Sequence, residues 1–219
     1  MKKNIVTNIR IILLLFSIQV FSQNLILNPN FEQTNDCIDR IGFIGKNISN
    51  WSTPTSATTD FFNSCKKGLT GVPENFQGFQ NAQSGNNYVG FGILRGYSME
   101  YIQGQIAETL TKGKKYKVSF YVSLSEQSNY AVNGFNFLFV DRSIDSNTLD
   151  ELNPEKLSEL GVIEYSYHSV KSPHFFKDKD NWVKVSKEIV ATGNEKFIII
   201  GDFAKHFKTE KLKVAKKPK

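Results

Sequence analysis

Between residues 116 and 124 the chain alternates apolar and polar side chains without a break. Tyr116, Val118, Phe120, Val122 and Leu124 fall on one face, and Lys117, Ser119, Tyr121 and Ser123 on the other. A period of two predicts a half-buried strand. Thr111-Lys112-Gly113-Lys114 just before it predicts a turn, and residues 99–106 a further strand with a bulge at Gly104. Phe135, Phe137 and Phe139 alternate with Asn136, Leu138 and Val140, which predicts a central strand covered on both faces. Residues 88–94, 162–168 and 182–189 predict more strands, Gly193-Asn194 a turn, and 197–200 the continuous apolar run of a buried strand. One short helix is predicted: Asn153 caps it, Pro154 occupies its first position, Leu157 and Leu160 face inward, and Gly161 ends it. Many short strands, Gly/Asn-rich turns and abundant Phe together predict an all-β chain, an antiparallel β-sandwich of jelly-roll type.

The first residues do not belong to that pattern. Lys2, Lys3 and Arg10 precede an apolar run starting at Ile11, and Val20-Phe21-Ser22 offers a cleavage site after Ser22. Residues 1–22 therefore read as an export signal, too short in its apolar part to span a bilayer comfortably. The expected locations are the periplasm, the outer-membrane surface or the medium. Residues 23–204 form the predicted sandwich domain, with no later segment apolar enough to cross a membrane. Residues 205–219 form a Lys-rich tail, read either as disordered or as a truncated last strand. The sequence pI of 9.1 arises at the two ends, because the tail carries seven Lys against one Glu and the signal is purely basic. What remains is slightly acidic, which argues against nucleic-acid binding. Cys37 and Cys65, an even pair in an exported chain, predict one disulfide.

Several quoted stretches carry a family likeness. "NLILNPNFE" resembles the opening of galactose-binding-like jelly rolls, including carbohydrate-binding modules of families four and twenty-two. "YIQGQIAETLTKGKKYKVSFYVSLS" resembles their central strand pair, and "NWVKVSKEIVATGNEKFIIIGDF" the closing pair. A longer ordered string, "NPNFE", Cys37, Trp51, "TTDFFNSC", "VPENFQGFQNAQSGNNYVGFG", "MEYIQGQI" and "FIIIGDF", is similar to a non-enzymatic N-terminal domain of bacterial exported proteins. Some of those carry an OmpA-like domain downstream. The resemblance implies export and fold, and leaves activity open. After Phe203 the chain departs from the pattern, with only Leu212 and Val214 alternating among lysines. In the resembling modules a Glu in the opening turn helps hold a structural Ca²⁺, which implies Glu32 here, with Asp202 standing for the late Asp. Calcium takes six to eight oxygens.

The remaining candidate chemistry is that of sugar recognition. Aromatic faces stack on pyranose rings, and amides or carboxylates meet the hydroxyls. Phe76 and Phe79 lie among amides in the loop at 72–81, Phe61 and Phe62 follow Asp60, and Tyr97, Glu100, Tyr101 and Gln103 offer the same mixture nearby. Catalysis has little support: His168, His174 and His206 have no metal-ligand spacing, and no nucleophile motif occurs. A glycosidase needs two carboxylates, for which Glu100 with Asp60 or Glu74 is the pair to test. The leading expectation is an exported, non-catalytic module that recognises carbohydrate or another cell-envelope component. The alternatives are a structural or adhesion module that binds protein, and a secreted glycoside-active enzyme.

Overall fold

The computed structural model describes residues 23–42, 44, 47–93, 99–203 and 210–216. The described chain is all-β, with one short helix and every strand pair antiparallel. In chain order the elements are β1 (Trp51–Ser52), β2 (Asp60–Asn63), β3 (Glu74–Asn75), β4 (Gly78–Phe79), β5 (Asn87–Gly90), β6 (Tyr101–Gln105), β7 (Lys115–Val122), β8 (Tyr130–Val132), β9 (Gly134–Val140), α1 (Pro154–Glu159), β10 (Tyr165–Lys171), β11 (Val183–Val190), β12 (Phe197–Gly201) and β13 (Lys211–Lys213).

A five-stranded sheet in the order β1-β6-β12-β9-β10 is the frame. Its two faces follow from strand parity. Phe137 and Phe139 of β9, Ile198 of β12 and Ile106 beyond β6 share one face with the inward residues of β7 and β11, among them Val118, Phe120 and Ile189. Leu138, Val140, Ile199 and Tyr101 share the other face with Ile144, Leu152, Leu157 and Val162 from the connection that contains α1. The double alternation of β9 thus reflects cover on both sides, and β9 lies between β12 and β10. The cover over the first face is made of separate pairs, β7 with β11 and β2 with β5. Among the described residues these pairs do not join into a second continuous sheet.

Helix α1 forms as its local sequence dictates. The Asn153 side chain accepts the Lys156 N–H at 2.9 Å, Pro154 needs no donor at its position, and Gly161 leaves the helix at φ 74°. Leu157 is fully buried, Leu160 packs partly against the same cluster. Two expectations shift. The strand expected at 162–168 runs instead from Tyr165 to Lys171, because Val162 is a core plug just after the Gly161 turn. Gly104 is not a bulge: its register is unbroken toward both β1 and β12. A Cβ there would stand 2.6 Å from the Trp51 ring, so the glycine makes room for an indole.

The opening motif has a structural account. Asn28 sits in the left-handed region at φ 49°, buried, with its amide donating to Gln33 and Ser49 carbonyls and accepting the Gln33 N–H. Trp51 Nε1–H donates to the Leu27 and Asn28 carbonyls at 3.1 and 2.8 Å. Cys37 and Cys65 form the predicted disulfide, with Cα atoms 5.9 Å apart. The Lys-rich tail is not wholly irregular. Leu212 lies in β13, which pairs with β8, and the preceding Glu210 accepts from Lys171 and Asn133.

Candidate functional site

Among the described residues β7 has a partner along one edge only, β11, and β5 likewise pairs only with β2. The two unpartnered strands border a cleft of about 1400 Å³. All of β7 lines it, as do residues 87–92, and Ile102, Ile198, Ile200 and Phe139 of the main sheet supply apolar lining. Residues 23–26 and Leu110 contribute as well.

The region around Gln77 and Phe79 mixes rings and amides. Phe79 is 50 % exposed, and its N–H donates to Glu126 Oε2 at 3.2 Å. Ser125 Oγ donates to Gln77 Oε1 at 2.7 Å, and the Gln80 and Ser123 side chains meet at 3.2 Å. Trp182 Nε1–H donates to the Asn81 carbonyl, and its ring meets Tyr88 edge-on with centroids 5.6 Å apart. Tyr88 in turn stacks on Phe62 and takes a hydrogen bond from Asn75 Nδ2. Burial pushes the Tyr88 hydroxyl up to about 12, so it stays protonated and serves as a neutral anchor.

The candidate residues divide sharply. Phe79 is on the surface, and Phe62, although buried, also borders the cleft. Phe76 is half-buried against Phe62. Phe61, Tyr101, Gln103 and Glu100 are buried, and of these Glu100 also borders the cleft. The Gln103 amide donates to Ser52 and the Ile144 carbonyl and accepts the Ile144 N–H. The Tyr101 hydroxyl donates to the Asp202 carbonyl and accepts the Leu152 N–H. Glu100 accepts from Thr58 Oγ1 at 2.9 Å and from the Gly92 N–H. The chemistry that suits these groups to sugars also serves bonds within the fold. Segments distant in sequence fold over them and take up the same hydrogen-bonding capacity. Tyr97 lies outside the described residues. Asp60 accepts the Gly42 N–H, and Glu74 is exposed.

The two calcium candidates are held by different segments. Glu32 accepts from the Asn86 backbone and amide, and buried Asp202 accepts from Asn136. Among the described residues no three acidic, His or Cys side chains gather as a metal-binding group. No helix of the described residues is long and apolar enough to cross a membrane. Trp182 and Tyr88 escaped notice in the sequence because each reads as an ordinary strand residue. No protein-family model matches the chain, and no curated protein matches it.

One titratable group outside the cleft has a measurable consequence. His168 on β10 lies 5.2 Å from the Phe137 ring, and its Nε2 has no hydrogen-bond partner among the described residues. Burial, with Lys187 nearby, holds its pKa below the ordinary 6.5, while Glu195 acts weakly in the opposite sense. The unfolded chain therefore takes up this proton before the folded one does. The stability contribution of neutral His168 is complete above 6.5 and is lost as pH falls through the depressed folded value. Thermal midpoints measured from about pH 8 to about pH 5 are expected to show a decline that His168→Phe reduces. An identical decline in that variant would assign it to other groups.

Proposed function

We propose that this chain is an exported, non-catalytic binding module of the galactose-binding-like jelly-roll type, and that the cleft is where it holds its ligand. Carbohydrate is the first reading. The observation that carries it is the half-exposed Phe79 ring, which lines the same cleft as Gln77, Gln80 and Trp182, a stacking face with amides at hand. The hydrogen bonds already made by Glu100 and Asp60 favour binding over glycoside cleavage. The test is a glycan array followed by calorimetry on the mature chain. Phe79→Ala is expected to weaken binding about tenfold, the scale of one aromatic contact. Folded protein that binds no glycan, or an Ala variant with unchanged affinity, overturns the carbohydrate reading. The second reading, an envelope module that binds a protein partner, is favoured by the edges that β7 and β5 leave unpaired beside the cleft among the described residues.

A further inference from the structure

The hydrogen-bonding groups that β7 turns toward its open side can be identified. Lys114 N–H donates to the Thr111 carbonyl at 3.1 Å, with Gly113 at φ 79°, so the turn before β7 places its glycine in the left-handed position. Gly113 N–H donates to the Ala191 carbonyl, and Ala191 N–H to the Lys114 carbonyl. This two-against-one arrangement is a bulge that leaves Lys114 as a bonded partner of Ala191. Bonded and non-bonded pairs alternate along an antiparallel ladder. With the observed register, Tyr116, Val118, Phe120 and Val122 bond to β11, whereas Lys115, Lys117, Ser119 and Tyr121 direct their N–H and C=O groups to the opposite edge.

The packing of β7 is incomplete on that same side. Its inward residues are only half-buried throughout, while Val185 and Ile189 of the adjoining β11 are fully buried. Among the described residues β5 also lacks a second neighbour, and both strands border the apolar-lined cleft. An isolated exposed edge is usually protected against pairing, often by lysines. Here Lys115 and Lys117 stand on the exposed face of β7. Lys117 is opposite Glu188 across the ladder and Lys115 opposite Val190, so Lys115 carries the unbalanced charge. A second copy pairing antiparallel through the same edge, with the four outward residues matched, would set Lys115 opposite Tyr121 and Lys117 opposite Ser119 and leave the lysines without compensation, whereas an acidic partner strand gains from them.

We propose that the cleft along β7 is a strand-accepting slot. It takes an extended segment of a partner protein that alternates apolar side chains, directed at Ile198, Ile200 and Phe139, with acidic or small polar ones directed outward beside Lys115. Main-chain bonds to Lys115, Lys117, Ser119 and Tyr121 supply the affinity, and the alternation supplies the selectivity. The inference deepens the protein-binding reading and does not depend on the carbohydrate one.

The test uses the mature chain and a labelled, end-blocked octapeptide in which Val or Ile alternates with Glu or Thr. Binding is read by fluorescence anisotropy and by amide exchange. The Lys117 and Ser119 amides should gain protection when the peptide is added. Ser119→Pro removes an N–H that lies outside the β7–β11 ladder, and is expected to lower affinity at least tenfold with little change in thermal midpoint. Ser186→Pro removes an N–H on the far edge of β11 and should leave affinity unchanged. Lys115→Glu, which keeps every backbone donor, should weaken binding of the Glu peptide and strengthen that of its Lys counterpart. If Ser119→Pro does not fold, the charge reversal and the amide protection decide the question. Folded protein that fails to bind the peptide, or binding insensitive to both Ser119→Pro and Lys115→Glu, overturns the proposal. So does a dimer lost on Ser119→Pro, which would give the slot to a second copy. The glycan array is read separately, so either result can fail without the other.

Discussion

Trp51→Ala is expected to destabilise the fold by about 3–5 kcal/mol, the range for removing a large buried aromatic side chain. The indole stands over Gly104, where a Cβ would approach within 2.6 Å, so its loss opens a space that no neighbouring side chain fills from below. It belongs to a cluster with Ile38, Ile48, Phe61 and Ile102, and lies 4.8 Å between centroids from Phe31. Its Nε1–H also bonds the Leu27 and Asn28 carbonyls, which fixes the opening turn to the edge of the main sheet. Trp51→Phe separates these contributions. It keeps much of the ring contact and removes the donor, and should cost about 1–3 kcal/mol. Urea denaturation with an unchanged slope is the measurement. An Ala variant within about 1 kcal/mol of the parent would mean that the cluster repacks and that the opening turn is held by other contacts.

The elements that were legible in the sequence are those whose signal is local. The alternation at 116–124 became β7, and the Asn153, Pro154 and Gly161 signals became α1 with its cap. In both cases the deciding interactions lie within a few residues. β9 was legible for a related reason, since cover on both faces leaves apolar residues at every position but Asn136 in the run 135–140. Gly104 was misread because a glycine that admits a bulge and one that admits a ring look alike until Trp51 is placed. For Tyr101 and Gln103 the sequence shows the chemistry and not the cover, because amphipathic character on a strand does not reveal what folds over it. The covering groups, Leu152 and Ile144, lie more than forty residues downstream. The cleft had no sequence signal at all. It lies where, among the described residues, β7 and β5 each lack a second neighbour, and a missing pairing leaves no trace in periodicity. The Lys-rich tail reads as disordered or as a truncated last strand, a choice composition does not make, and among its described residues Leu212 pairs with Ala131.

Removing both cysteines, as Cys37→Ala with Cys65→Ala, is expected to lower stability by about 3–4 kcal/mol, from the entropy of closing a loop of this length in the unfolded chain. The bridge spans 28 positions and encloses β1 and β2. Little regular structure supports the described residues between the first cysteine and β1. Asn35 and Ser49 make two backbone bonds across to Asn47 and Gln33, and Thr34 meets Ile48 in an isolated bridge. The Ile38 carbonyl is held by Asn63 and Thr70 side chains. These interactions order the loop once it is folded, but they do nothing to restrict the unfolded chain, which is where the covalent link acts. The contribution should therefore survive in a Trp51→Ala background, because one change acts on the denatured ensemble and the other on the packed state. A domain with a typical stability of about 5–15 kcal/mol would become marginal with both changes. The measurement is the urea midpoint of the double-Ala variant beside that of the parent with and without reductant. Reductant should move the parent toward the variant and leave the variant unchanged. Equal midpoints for all three would show that the irregular loop, and not its cross-link, holds this edge of the fold together.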